Sequence, residues 1–142
     1  MKNIKIEAAL RAIAKRNGGR LVPEQVVESA RPKSSPLHGR FTWDDGEAAD
    51  KWRIHQARML INVCVEVLGD GLSKSPVFVS LSVDRGSGTG YRLTTTVMGD
   101  SEMRAQLLKD ALSDLNTFQK KYQDLKELAE VFSALRKVRA AA

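Results

Sequence analysis

Residues 101–138 contain neither glycine nor proline. Within them Leu108, Ala111, Leu115, Phe118, Tyr122, Leu125, Ala129 and Phe132 recur at alternating steps of three and four. That spacing lines them along one stripe of an α-helix. Leu112, Leu128 and Leu135 widen the stripe, which needs a cover. One helix from Glu102 to Arg139 would be roughly 55 Å long, whereas a domain of this size has a radius of gyration near ~15 Å. Two solutions follow. The chain bends near Lys120–Asp124 into a hairpin, with Asp124 capping the second helix, or it stays long and pairs with another subunit as a coiled coil. The unbroken spacing favours one long helix, straight or kinked. It predicts a homo-oligomer joined through Leu115, Phe118, Tyr122, Leu125 and Phe132.

The cover within the chain comes from earlier residues. Ile6, Leu10, Ile13 and Ala14 predict a first helix over 4–16, ended by Asn17-Gly18-Gly19. Pro23 opens a second helix that places Val26, Val27 and Ala30 on one face, and Pro32 stops it. Helix, glycine turn and short helix give the outline of a helix-turn-helix. Residues 32–46 read as an ordered loop pinned by Leu37, Phe41 and Trp43, with Asp44 or Asp45 capping a third helix over 47–59. In that helix Trp52 is expected in the core and His55 in solvent. Period-two alternation then predicts strands over 61–67, 77–83 and 91–97, joined by turns at 69–71 and 84–90. The fold class is therefore α+β. An N-terminal helical hairpin and a third helix precede a three-stranded antiparallel β-meander and a long C-terminal helix. All of it is expected in a single domain over 1–142, with segments 1–46, 47–100 and 101–142.

Charge is unevenly placed. The net charge is +6, and residues 1–40 carry nine Lys and Arg against three Glu. Such an asymmetry fits either an electrostatic footprint for a polyanion, nucleic acid first among candidates, or a solvated basic face. Arg11, Lys15, Arg16 and Arg20 fall on the first helix and its turn, and Arg53 and Arg58 on the third helix extend the set. The second helix offers Glu24, Gln25, Glu28 and Ser29, a poor set for reading bases, so backbone contact is expected.

Other chemistry is sparse. The two histidines, His38 and His55, and the single cysteine, Cys64, have no spacing that matches a metal site, a nucleophile–base pair or paired carboxylates. His38 near Asp44 and Asp45 reads as a loop histidine beside a cap, and Cys64 as a buried thiol. No disulfide is possible within a chain having one cysteine, which points to a reducing compartment. Gly86-Ser-Gly-Thr-Gly90 lacks the setting of a Rossmann or P-loop motif and reads as a hairpin tip flanked by Arg85 and Arg92. No apolar run has the length of a membrane span, and the first residues carry no signal-peptide core. No enzyme activity, cofactor or metal is expected.

The runs Leu21-Val-Pro-Glu24, Ser35-Pro-Leu-His38, Phe41-Thr-Trp-Asp-Asp45, Ala48-Ala-Asp-Lys-Trp-Arg53, Gln56-Ala-Arg-Met-Leu-Ile61 and Leu128-Ala-Glu-Val-Phe132 resemble small proteins encoded by bacteriophages and prophages. The resemblance covers most of the chain. It implies a phage context, in host cytoplasm or virion, and brings no catalytic residue with it. The expected function is a non-enzymatic, self-associating nucleic-acid binder. The alternative is a structural or adaptor protein of a phage particle or assembly complex that contacts only protein.

Overall fold

α1 (Lys2–Arg16) buries Ile6, Leu10, Ile13 and Ala14 on the face their spacing sets out. The computed structural model of the protein describes all residues except 1, 45, 68–73 and 89. Gly18 and Gly19 have φ of 63° and 84°, and the Gly19 amide donates to the Ala14 carbonyl at 2.7 Å. This is a glycine-terminated helix end, in a conformation that costs a side-chain-bearing residue about 1–2 kcal/mol.

Beyond the turn, β1 (Arg20–Leu21) leads into α2 (Pro23–Ala30), which buries Val26, Val27 and Ala30. The two expected N-terminal helices are present, and the connection between them also contributes a strand to the sheet. A 3-10 turn follows (His38–Arg40), then α3 (Glu47–Asn62). Leu37 and Phe41 are buried and Trp43 is packed against the same core, so the 32–46 loop is ordered as expected. The cap of α3 is Gly46, with no side-chain cap bond; Asp45 lies outside the described residues.

The sheet is where expectation and structure diverge. A three-stranded antiparallel sheet is present, but its order is β1–β5–β4, with β4 at Phe78–Val79 and β5 at Tyr91–Leu93. Its registers are Arg20↔Arg92, Leu21↔Tyr91, Phe78↔Leu93 and Val79↔Arg92. β2 (Val65–Val67) pairs separately with β3 (Lys74–Pro76). The turn expected at 69–71 lies outside the described residues. The strand expected over 61–67 is shortened because α3 runs on to Asn62 and buries Ala57, Leu60 and Ile61 at helical spacing. Val63, on the face expected to be buried, is 69% exposed. The strands over 77–83 and 91–97 likewise give way to helical turns, α4 (Ser82–Arg85) and α5 (Thr94–Gly99). Val97, fully buried, belongs to α5.

The single domain expected over 1–142 resolves into two compact units, Met1–Asp100 and Ser101–Ala142. The core of the first joins α1, β1, α2, the 37–41 loop and α3 with Cys64, Val77 and Phe78. In the second, α6 (Ser101–Tyr122) is a long helix, followed by a 3-10 turn (Lys126–Leu128) and α7 (Ala129–Ala141). The run therefore turns after Tyr122, as in the hairpin alternative, and not as one helix to Arg139. Asp124 does not cap α7, whose cap position is Leu128. The return is held by aromatic packing. Phe118 lies 4.8 Å from Tyr122 and 6.4 Å from Phe132, ring centre to ring centre, and the Arg139 guanidinium donates to the Gln119 side-chain oxygen at 3.5 Å. Phe132 is buried, which removes it from the expected oligomer surface, whereas Leu115, Phe118 and Leu125 are exposed and Tyr122 is half-buried.

Candidate nucleic-acid interface

The basic residues of the first unit separate into those turned outward and those used internally. Lys15 and Arg16 occupy the last turn of α1 and are exposed, where the negative end of the helix dipole stabilises cations by about 0.3–1 kcal/mol each. Arg20 is exposed on β1, just past the glycine turn. Among the described residues, none of these three pairs with a carboxylate. Arg11, one turn back, is half-buried and its Nε donates to Glu7 at 2.8 Å. Its charge is therefore already partnered. Arg58 is exposed on α3.

Arg53 is a correction. It is 4% exposed and turned into the first unit. Its Nη1 donates to the Thr42 carbonyl at 3.1 Å and the Asp44 carbonyl at 2.7 Å, and its Nη2 to the Asp50 carboxylate. The guanidinium also lies 5.6 Å from the Trp43 ring centre. α3 thus buries Arg53 where Trp52, the next residue round the helix, was expected; Trp52 is 52% exposed. Burying a guanidinium is tolerated because its planar fork finds two carbonyls and a carboxylate. Among the described residues, Nε has no hydrogen-bond partner.

Trp43 is the hub of this corner. His38 stacks on it at 5.0 Å and 11°, its indole N–H donates to the His38 carbonyl at 3.0 Å, and Arg31 lies 5.8 Å from the ring centre. Arg31 pairs with Glu28 at 2.8 Å, and that hydrogen bond raises its pKa above the ordinary value. His38 Nδ1 lies 2.9 Å from the Ala30 carbonyl oxygen, so the ring ties the loop to the end of α2. Cys64 is buried, and His55 is exposed beside Trp52. Among the described residues, no group of His, Cys, Asp and Glu is placed to hold a metal ion.

The β1–β5 pairing brings together two glycine turns that lie far apart in the chain. Asn17, Gly18, Arg20, Val22 and Gln25 line one cleft with Ser87 and Gly88. The approach is close: a Cβ on Gly90, whose φ is 81°, would sit 2.3 Å from the Leu21 carbonyl oxygen. Arg20 stands opposite Arg92 across the strands, an arrangement in which two unpaired cations would repel. Arg92 is neutralised. Its Nε and Nη2 bind both carboxylate oxygens of buried Asp84, at 2.6 and 2.9 Å. The hydrogen bond to Asp84 raises the Arg92 pKa, while burial opposes the rise. Arg20 is left as a cation facing the cleft, which among the described residues has no carboxylate in its lining. By contrast, the groove between α1 and α2 sets Arg16 against Glu24 and Glu28.

The structure therefore gathers Lys15, Arg16 and Arg20 at one helix end, leaves Arg58 on another helix, holds Arg11 in an ion pair and withdraws Arg53. The joining of the two glycine turns had no periodic signal, because β1 is two residues long. The flanking of the second turn by Asp84 and Arg92 was the available hint. Comparison with protein families, curated proteins and solved structures returns no match. Among the described residues, no helix is long and apolar enough to cross a membrane.

Proposed function

We propose that this protein is a non-enzymatic nucleic-acid-binding protein that grips backbone phosphates through Lys15, Arg16 and Arg20 and self-associates through α6. The observation that supports the reading is that these three cations are exposed and, among the described residues, in no ion pair, with Arg20 lining a cleft whose described lining holds no carboxylate. Arg58 is a peripheral contact. Arg11 contributes weakly because Glu7 already holds it. Sequence preference is low, since the exposed residues of α2 are Glu24, Gln25 and Glu28, and carboxylates repel the phosphates a groove-bound helix must approach. The phage resemblance gives the reading a setting, host cytoplasm or virion, and other phage proteins as partners.

A second reading has its own observation. α6 buries no residue and leaves Leu108, Leu115 and Phe118 exposed, which favours a protein-only adaptor that assembles through this helix. Fluorescence anisotropy with labelled DNA at several salt concentrations separates the two. Retention that weakens with salt and is lost in Arg16→Glu/Arg20→Glu supports nucleic acid, and absence of binding at low salt leaves the adaptor reading.

A further inference from the structure

The outer face of α3 carries a feature that phosphate contact does not use. At 3.6 residues per turn, Trp52, Met59 and Val63 fall within about 40° of arc, and all three are more than half exposed. A large apolar strip left in water marks an interaction surface. The Trp52 ring does not stand alone, since His55 lies 5.2 Å away at 34°. Lys51, His55 and Arg58 edge one side of the strip, all exposed. At its C-terminal end Val63 and Val65 share a cleft of about 140 Å³ with exposed Arg40. The acidic groups of α3 are engaged: Asp50 holds Arg53, and Glu47 pairs with Lys51 at 3.6 Å. The second of these pairs is 88% and 79% exposed, so it is weak and Lys51 can exchange to another anion.

We infer that Trp52 and His55 form a stacking platform for the bases of a single-stranded nucleic acid, with Lys51, Arg58 and Arg40 meeting its phosphates. The chemistry on the surface matches both halves of such a strand. Aromatic faces accept any base, and cations at the rim neutralise the backbone. A duplex hides its base faces and cannot use the platform. The exposed cations Lys51, Arg58 and Arg40 beside the strip complement a polyanion rather than an apolar protein groove. The inference rests on the nucleic-acid reading and adds to its phosphate contacts a site that only single strands can use.

The test is titration of the protein with a short oligothymidylate and with a duplex of equal length, read by tryptophan emission and by anisotropy. Oligothymidylate quenches the wild-type emission. Trp52→Ala, folded by circular dichroism because the side chain is exposed, loses the quench and binds the single strand about five- to hundredfold more weakly. Its duplex affinity changes by less than about twofold, since phosphate contacts carry that binding. Trp52→Phe keeps most of the single-strand affinity, and His55→Ala loses part of it. Unchanged single-strand affinity in Trp52→Ala overturns the platform. So does a quench that survives in that variant, which places the contact at Trp43. A change in native mass with unchanged DNA affinity makes the strip a protein interface and overturns it as well. Duplex binding without single-strand binding removes the platform alone, and absence of both removes the nucleic-acid reading with it.

Discussion

Arg53→Ala is the sharpest test of how the first unit is held together. The guanidinium is the shared donor for two backbone carbonyls of the 42–44 stretch and for Asp50, and it packs against Trp43. Hydrogen bonds to a charged donor contribute about 1.5–3 kcal/mol each. Thr42 and Asp44 are exposed, so water recovers part of the loss at their carbonyls. The ring contact adds about 0.5–2 kcal/mol. A net cost of about 3 kcal/mol results, within the range for breaking a buried charged group's partnerships. In a domain of about a hundred residues that corresponds to a fall in Tm of roughly 12–24 °C. Arg53→Lys keeps the charge but not the fork, and loses about half as much. Lys51→Ala, which removes an exposed pair two residues away, costs under about 0.5 kcal/mol. Thermal and urea unfolding followed by circular dichroism read all three. A drop of less than about 1 kcal/mol for Arg53→Ala would show that water serves these carbonyls equally well, and the staple would be refuted.

The remaining expectations concern the surface, the turns and the C-terminal unit. With Lys15, Arg16 and Arg20 as contacts, log affinity for duplex DNA falls with log salt at a slope of about −2.7, or about −3.6 with Arg58 added; Arg16→Glu/Arg20→Glu flattens it by about 1.8, and an unchanged slope places the interface elsewhere. Gly90→Ala forces a Cβ to within 2.3 Å of the Leu21 oxygen at positive φ and destabilises the first unit by about 2–4 kcal/mol in urea; a neutral result means that β1 does not need this close approach. Leu115→Asp and Phe118→Asp lower the native mass measured by light scattering, and a mass unchanged from wild type, or a monomeric wild type, rejects self-association through α6.

The parts of the fold that were legible in the sequence are those set by long periodic runs. Ile6 to Ala14 and Val26 to Ala30 turned their apolar faces inward, as three-four spacing requires. The Gly18-Gly19 stop worked because positive φ at these glycines turns the chain so that the Gly19 amide meets the Ala14 carbonyl. Period two was a weaker guide. Ile61, Val63 and Val65 alternate in sequence, yet Ile61 belongs equally to the helical series Ala57, Leu60, Ile61, Cys64, and the longer series won. Trp52 misled because size was read as burial, while the neighbouring Arg53 could satisfy its donors indoors. The C-terminal run fits a straight helix and a hairpin equally, since a turn that uses Gln123 and Asp124 needs no glycine. At the candidate interface, Lys15, Arg16 and Arg20 were visible as charges, but the partnership of Arg92 with Asp84 depends on a pairing between distant strands.

That pairing also sets an order of events during synthesis. Leu21 has no sheet partner until Tyr91 exists, seventy residues later. At ribosomal speeds of about 5–20 residues per second, the wait is roughly 4–14 s. Through that interval α1 and α2 can form as local helices, while β1 exposes an unpaired edge. Two residues beside a glycine turn are too short to template a foreign strand, which is one of the ways proteins keep open edges harmless. The last strand to emerge therefore locks the first, and a nascent chain stopped before Tyr91 carries its basic helix end without the strand that positions Arg20.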